Sequence, residues 1–502
     1  MKALSVLFGG RIRKEAFEPV FNGKNSVSLA LEQAKKFPGT EKIILLAPPG
    51  DFPFPDDVQI EKNNWTKKNL LEKLAGLQSG FDCVYFAFTD CPFLDPALAG
   101  SLSERHIRER ADYSYADGFP YGLAPEILSP GTAGILAKIL GDDDGQVERD
   151  ILFSVIQKDI NAFDIEAEIS AVDLRFHRIN LCADSKRNLL LLKNFLAEAG
   201  NIPATACVEK TVQEKPEILR TLPAFFPIQV YGGCPQACKI CPYPLITDVV
   251  GRKDFMDTSS FASLLDKIVS FSDDAVIDLS LWGELSLHPE KIKLIKEVLS
   301  RKTLSLVIET SGIGWKEKEL EECASFVSQP ARLSWIVSLD SVDPQHYTEI
   351  RGHGFAEAEN CAKKLLSLFP KDCYVQAVRL KGSENDTEKF YRTWKDANVI
   401  IQKYDDFCGA LEKKQASDIS PVIRNSCRHI MRDMPVLIDG TVPLCREDTE
   451  ALKQQSKRIL GNVFSDSLEK IWKEGDSYYR EQCLKNYSGL CKNCDEYYTF
   501  NF

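Results

Sequence analysis

The 502-residue chain has no apolar run long enough to cross a membrane, for which about 20 consecutive apolar residues are needed. The run at the amino terminus, Met1-Lys-Ala-Leu-Ser-Val-Leu-Phe-Gly-Gly, stops at glycines and an arginine. It reads as a first strand, not as a signal peptide or an anchor. Net positive charge is also missing. With 62 Lys and Arg against 73 Asp and Glu, the formal charge is -11, which argues against general binding to nucleic acid. Cysteine is not scarce. Sixteen cysteines in a long chain without an export signal point to metal and thiol chemistry in a reducing cytoplasm and not to a disulfide scaffold.

Three of these cysteines fall in Tyr231-Gly-Gly-Cys-Pro-Gln-Ala-Cys-Lys-Ile-Cys-Pro-Tyr243, with C-x3-C-x2-C spacing. Thiolates of Cys234, Cys238 and Cys241 on one short loop can hold three irons of a four-iron cluster and leave the fourth iron open. Zinc usually takes four closed ligands as two C-x2-C pairs, and no fourth ligand lies nearby in sequence. The loop follows an apolar strand, Pro227 to Tyr231. Five more β-type runs follow, at Ala275 to Trp282, Leu304 to Glu309, Leu333 to Leu339, Tyr374 to Leu380 and Val399 to Tyr404. Helix-period segments separate them, among them Phe261 to Phe271, Glu290 to Leu299, Phe355 to Leu368 and Glu384 to Lys395. Such alternation predicts βα units, a parallel sheet and right-handed crossovers, closed or partly closed into a (β/α)6 barrel. Sites in such folds lie at the carboxyl ends of the strands, where the cysteine loop falls.

The C-x3-C-x2-C loop resembles that of the radical S-adenosylmethionine (SAM) superfamily. Trp282-Gly283-Glu284 at the end of the second strand resembles the family motif that receives the amino group of SAM. A carboxylate suits an ammonium, and a glycine permits close backbone approach. Glu309-Thr310-Ser311-Gly312 resembles the next strand-end turn of that family. Ser338-Leu-Asp340 and Ile350-Arg351-Gly352 resemble the pair that contacts the SAM ribose and carboxylate. The resemblance implies a [4Fe-4S] cluster, SAM as cofactor, and a reductant such as flavodoxin or ferredoxin. His288 and His346 read as capping or packing residues.

The carboxyl-terminal part, beyond a polar stretch through Ser420-Pro421, carries Cys427, then Leu437-Ile-Asp-Gly-Thr-Val-Pro-Leu-Cys445, and finally Cys491-Lys-Asn-Cys494. Asp439-Gly440 reads as a hairpin turn returning Cys445 beside Cys427, while Cys491 and Cys494 form a two-thiolate loop. Four thiolates from three places can close a second cluster, and they can equally form a zinc ribbon. The C-x12-G-x4-C and C-x2-C layout resembles the SPASM and twitch auxiliary domains of radical SAM enzymes, with one auxiliary [4Fe-4S] cluster implied. Cys483 is a further candidate ligand. The other eight cysteines read as buried thiols.

At the amino-terminal side, strand-like Ala3 to Phe8, Lys42 to Ala47 and Cys83 to Phe88 alternate with helical Val27 to Lys36 and Asn69 to Leu77. Gly9-Gly10-Arg11 follows the first strand as a phosphate-binding turn would, and Asp90 ends the third strand where a carboxylate could hold Mg2+. With Ala111-Asp112-Tyr113, Gly118 to Leu123 and Leu181 to Leu189, this part resembles sugar cytidylyltransferases of the nucleotide-diphosphosugar transferase fold. Its first loop is shorter than that family's, so a retained binding scaffold is weighed beside an active transferase.

The expected organisation is α/β throughout. A cytidylyltransferase-like domain spans 1–200, a linker 201–222, a radical SAM barrel 223–415 and a cysteine-rich auxiliary cluster domain 416–502. This order resembles the spiro-SPASM family. The expected activity is reductive cleavage of SAM and hydrogen abstraction from a small-molecule alcohol, sugar-linked or nucleotide-linked, or from a peptide. The competing class is a non-catalytic, cluster-stabilised binding protein. The expected cofactor-binding residues are Gly283, Glu284, Ser338 and Arg351. The expected metal ligands are Cys234, Cys238, Cys241, Cys427, Cys445, Cys491, Cys494 and Asp90.

Overall fold

The computed structural model describes residues 1–502 except 56, 247–250, 328–331, 415, 417–422, 454 and 498–502. The expected boundary at Ser420-Pro421 lies outside the described residues. Two compact units form, Met1–Thr221 and Leu222–Phe502. Among the described residues, no helix is long and apolar enough to cross a membrane.

The first unit is built on a seven-stranded sheet. Its order is Gln59–Lys62, Thr40–Ala47, Ala3–Phe8, Cys83–Phe88, Glu126–Leu128, Tyr113–Asp117 and Ile165–Ile169. The first four of these run parallel, and Glu126–Leu128 is antiparallel to both of its neighbours. Ala3–Phe8 and Cys83–Phe88 are buried along their whole length, which is why they read as continuous apolar runs and not as alternating ones. The segment expected to be a linker is instead structured. Thr205–Glu214 is a helix whose Val208 and Val212 are buried, and the Asp95 carboxylate accepts both the N–H and the hydroxyl of Thr205, each at 2.8 Å. Short polar stretches around Asn201 and Lys215 concealed that amphipathic turn.

The second unit contains six parallel strands whose order in the sheet equals their order in the chain: Phe225–Pro227, Ala275–Asp278, Leu304–Thr310, Leu333–Ser338, Cys373–Arg379 and Asn398–Lys403. Helices Thr258–Ser272, Lys291–Ser300, Glu317–Phe326, Phe355–Leu368 and Glu384–Thr393 fill the crossovers. The first strand begins and ends earlier than expected, and Ile228 beyond it bridges to Val436. The second strand stops at Asp278, so Ser280 to Glu284 form a loop.

Barrel and tail share one hydrophobic core. Val436, Val442, Val463, Leu468, Ile471 and Trp472 pack in the same cluster as Phe226, Ile277, Leu306 and Trp335. The expected turn at Asp439-Gly440 is present, with Gly440 at φ +83°. However, Thr441–Pro443 takes Ile459–Asn462 as its antiparallel partner.

Candidate active site

The cysteine loop is closed at its base by a buried network. The Tyr243 hydroxyl donates to the Gly232 carbonyl at 2.8 Å, and the Gln229 amide donates to the Tyr243 hydroxyl and to the Trp282 carbonyl. On its far side the loop is pinned to helix Pro344–Arg351. Lys239 N–H donates to the Ile350 carbonyl at 2.8 Å, and the Gln236 amide to the Tyr347 hydroxyl and the His353 carbonyl. That helix starts under an Asp343 cap with Pro344 in the first turn, and its last residue is Arg351. The sequence signal therefore extends beyond the cysteines: Gln236 orients the loop, and nothing in its residue type had marked it.

Glu284 follows a sharp bend at Trp282, which takes the left-handed φ of +47°. Its side chain is 3 % exposed, with Oε1 accepting from the Thr310 hydroxyl at 2.7 Å and Oε2 from Ser311 N–H at 2.7 Å. Gly283 is required by its neighbours. A Cβ there would lie 1.8 Å from the Tyr231 carbonyl oxygen. The expectation that this glycine serves ligand approach is thus joined by a nearer cause, the contact between two strand-end loops.

Arg351 lies 2.6 Å from Asp340 and also donates to Gln236. The Ser338 hydroxyl donates to Glu309 at 2.6 Å, and the Gln376 amide to the same Glu309 oxygen at 2.8 Å. One cavity of about 260 Å³ brings these residues together. It is lined by Cys234, Cys238 and Cys241, by Gly283, Glu284, Ser338 and Arg351, and by Asp278, Asp405 and Glu447. Burial pushes the Cys234 and Cys241 thiols up to about 12 and the Asp278 carboxyl up to about 6. Asp405 is raised by burial and by the facing Glu447. His288 is a packing residue: its ring accepts Glu290 N–H and lies 3.0 Å from the Met256 carbonyl. His346 lies 3.2 Å from Asp386.

The tail cysteines form a second group. Cys427 belongs to a buried cluster with Tyr479 and Tyr497, against which the partly buried Cys491 packs, and Cys445 feels the charges of Cys427 and Cys494. Three of the four sulfurs accept N–H donors: Cys445 from Glu447 at 3.5 Å, Cys494 from Glu496 at 3.3 Å and Cys491 from the Gln482 amide at 3.3 Å. Donors of this kind stabilise cluster thiolates and raise the cluster potential. Cys408 was missed. It lies in hydrogen-bond contact with Cys494, although it stands alone in sequence.

Asp90 is engaged by an internal cation. Arg149 donates to its two oxygens, at 3.1 and 2.6 Å, and reaches Asp184 at 2.8 Å. The guanidinium thus bridges Asp90 and Asp184, and the Asp90 carboxylate also lies with the Cys91 and Cys182 thiols in a group whose ligand atoms are within 4.8 Å of one another. Cys91 and Cys182, read as separate buried thiols, lie beside it with sulfurs 3.3 Å apart.

Comparison with known proteins agrees with this layout. Residues 228–393 match the Radical SAM superfamily, and residues 427–495 match SPASM, an iron-sulfur cluster-binding domain. An uncharacterized protein of Treponema pallidum (strain Nichols) is 34 % identical over 364 residues, 70 % of this chain and 98 % of the relative. Among solved structures, BtrN in complex with AdoMet and 2-DOIA has a TM-score of 0.39 at 17 % identity, covering 55 % of this chain and 94 % of that one. A cytidylyltransferase from Leptospira borgpetersenii serovar Hardjo-bovis (strain JB197) has a TM-score of 0.36 at 15 % identity, covering 43 % and 95 %. Likenesses of this size fix neither substrate nor activity. The superfamily's cofactors are SAM and a [4Fe-4S] cluster, and the SPASM domain adds iron-sulfur binding. The chain therefore belongs to the radical SAM superfamily as an enzyme with a SPASM iron-sulfur domain.

Proposed function

We propose that Cys234, Cys238 and Cys241 hold three irons of the SAM-binding cluster, and that Cys427, Cys445, Cys491 and Cys494 hold one auxiliary cluster. The observation that carries this reading is a single cavity lined by the three loop thiols, by Glu284 and by Glu447, two residues after Cys445. Cluster and SAM, when bound, supply a 5'-deoxyadenosyl radical that takes a hydrogen atom from the substrate. In this reading Glu284, its oxygens already oriented by Thr310 and Ser311, receives the SAM ammonium. Arg351, held by Asp340, faces the SAM carboxylate, and Ser338 with Glu309 faces the ribose. Phe407 against Trp282, with ring centroids 5.5 Å apart, keeps water from that side. An external reductant such as flavodoxin or ferredoxin delivers the electron. The substrate is a small-molecule alcohol or a peptide. In this reading the first unit is a retained binding scaffold, with Arg149 bridging Asp90 and Asp184.

Anaerobically reconstituted, reduced protein should release 5'-deoxyadenosine from SAM. Alanine at Cys234, Cys238 and Cys241 together should abolish release while the tail cluster keeps its absorbance. Release by the triple variant would overturn the reading.

A further inference from the structure

Gln229, two residues beyond the first barrel strand, is 2 % exposed and uses its amide in three directions. Nε2 donates to the Tyr243 hydroxyl at 3.1 Å and to the Trp282 carbonyl at 2.8 Å, while Oε1 accepts Ile438 N–H at 3.2 Å. The three partners come from distant stretches of the chain. Tyr243 stands two residues after Cys241, and its hydroxyl donates in turn to the Gly232 carbonyl at 2.8 Å. Trp282 leads directly into Gly283 and Glu284. Ile438 lies in the tail between Cys427 and Cys445, where Val436 bridges in parallel to Ile228 and its carbonyl accepts Gln229 N–H at 2.9 Å. The Ile438 N–H fixes which end of the amide faces the two loops, since only Oε1 can accept it.

A second observation is the backbone of Trp282. Its φ of +47° is an outlier for a bulky side chain, and such strain persists only where the surroundings hold it, most often at functional sites. Gln229 holds the carbonyl of this residue, and Tyr243 and Phe407 pack on its ring with centroids 6.0 and 5.5 Å away. Beyond the bend, Glu284 N–H donates to the Gly233 carbonyl at 2.9 Å. One amide thus ties the loop of three thiols to the loop that presents Glu284. Among the described residues lining the cavity Gln229 is absent, whereas Tyr243 and Trp282 both line it.

We propose that Gln229 is a positioning residue for SAM: it holds the Trp282 bend against the cysteine loop, so that one cofactor molecule can reach the open iron and Glu284 together. The proposal rests on the radical SAM reading for the place of the cofactor. An amide suits the task because it offers two donors and an acceptor in one plane. Methionine fills a similar volume and offers none of these, leaving buried groups unpaired on both loops.

Full-length protein carrying both clusters would be dialysed anaerobically to equilibrium against SAM, with iron content and melting temperature measured on the same samples. Gln229→Met should weaken SAM binding per iron-loaded chain at least about fivefold, and a smaller loss overturns the proposal. A residue with a merely structural role would lower the melting temperature or the iron content and leave the affinity of the iron-loaded chains unchanged. Tyr243→Phe deletes a single oxygen atom and decides the matter should Gln229→Met fail to fold or to load iron. It cuts the hydroxyl arm and leaves the Trp282 and Ile438 arms in place, so SAM binding should weaken about twofold or more; a smaller loss again overturns the proposal. Wild-type protein keeps the two readings apart. If it binds no SAM, the radical SAM reading falls and this proposal with it, whereas wild-type binding matched by both variants refutes the role of Gln229 alone.

Discussion

Arg149→Ala tests whether an internal cation stands where a metal was expected. The wild-type guanidinium holds Asp90 and Asp184 at 2.6 and 2.8 Å and lies 5.1 Å from the centre of the Phe88 ring and 5.4 Å from that of Tyr121. Asp90 is 7 % exposed. Removing one partner of a buried ion pair leaves an uncompensated charge and costs about 3–5 kcal/mol. The lower end applies here, because the Arg149 side chain keeps 28 % of its surface exposed. For a unit of this size, about 3 kcal/mol lowers the melting temperature by roughly 6–12 °C. Differential scanning calorimetry of the full chain should show that drop in the transition belonging to the first unit. Millimolar Mn2+ should then restore part of it, because the Asp90 carboxylate and the Cys91 and Cys182 thiols converge within 4.8 Å and a ligand at about 100 times its Kd returns about 2.7 kcal/mol. Wild-type protein should show no Mn2+ shift. An Arg149→Ala variant as stable as wild type, or a wild-type protein stabilised by Mn2+, would refute the reasoning.

Gly283→Ala should impair SAM binding and stability together, because the new Cβ meets a backbone oxygen at 1.8 Å and overpacking of this kind costs about 1–3 kcal/mol; a variant with wild-type SAM affinity and melting temperature would contradict that. Iron analysis of the reconstituted chain should approach about eight atoms, from two four-iron clusters. Stoichiometric zinc with about four irons would instead make the tail a zinc ribbon.

Local spacing in the sequence determined the chemistry of the cysteine loop, since three thiols within eight residues of one chain must lie on one loop in any fold. Apolar periodicity likewise determined the parallel βα succession, and helix Phe355–Leu368 fell where its pattern put it. Helices Glu317–Phe326 and Pro344–Arg351 were not legible, because only Leu320 and Cys323 of the first and Tyr347, Ile350 and Arg351 of the second are buried. Tertiary structure alone decided the rest. Side chains from five strands and a distant tail meet in one cavity, and pairings such as Ser338 with Glu309, 29 residues apart, leave no periodic trace. Cys408 reached Cys494 across 86 residues for the same reason. The fate of Asp90 was also a tertiary matter. Its residue type and strand-end position suited a metal, but the charge that answers it comes from Arg149, 59 residues away. A carboxylate's partner is set by whichever cation the fold brings closest, and the residues next to it in sequence do not specify that.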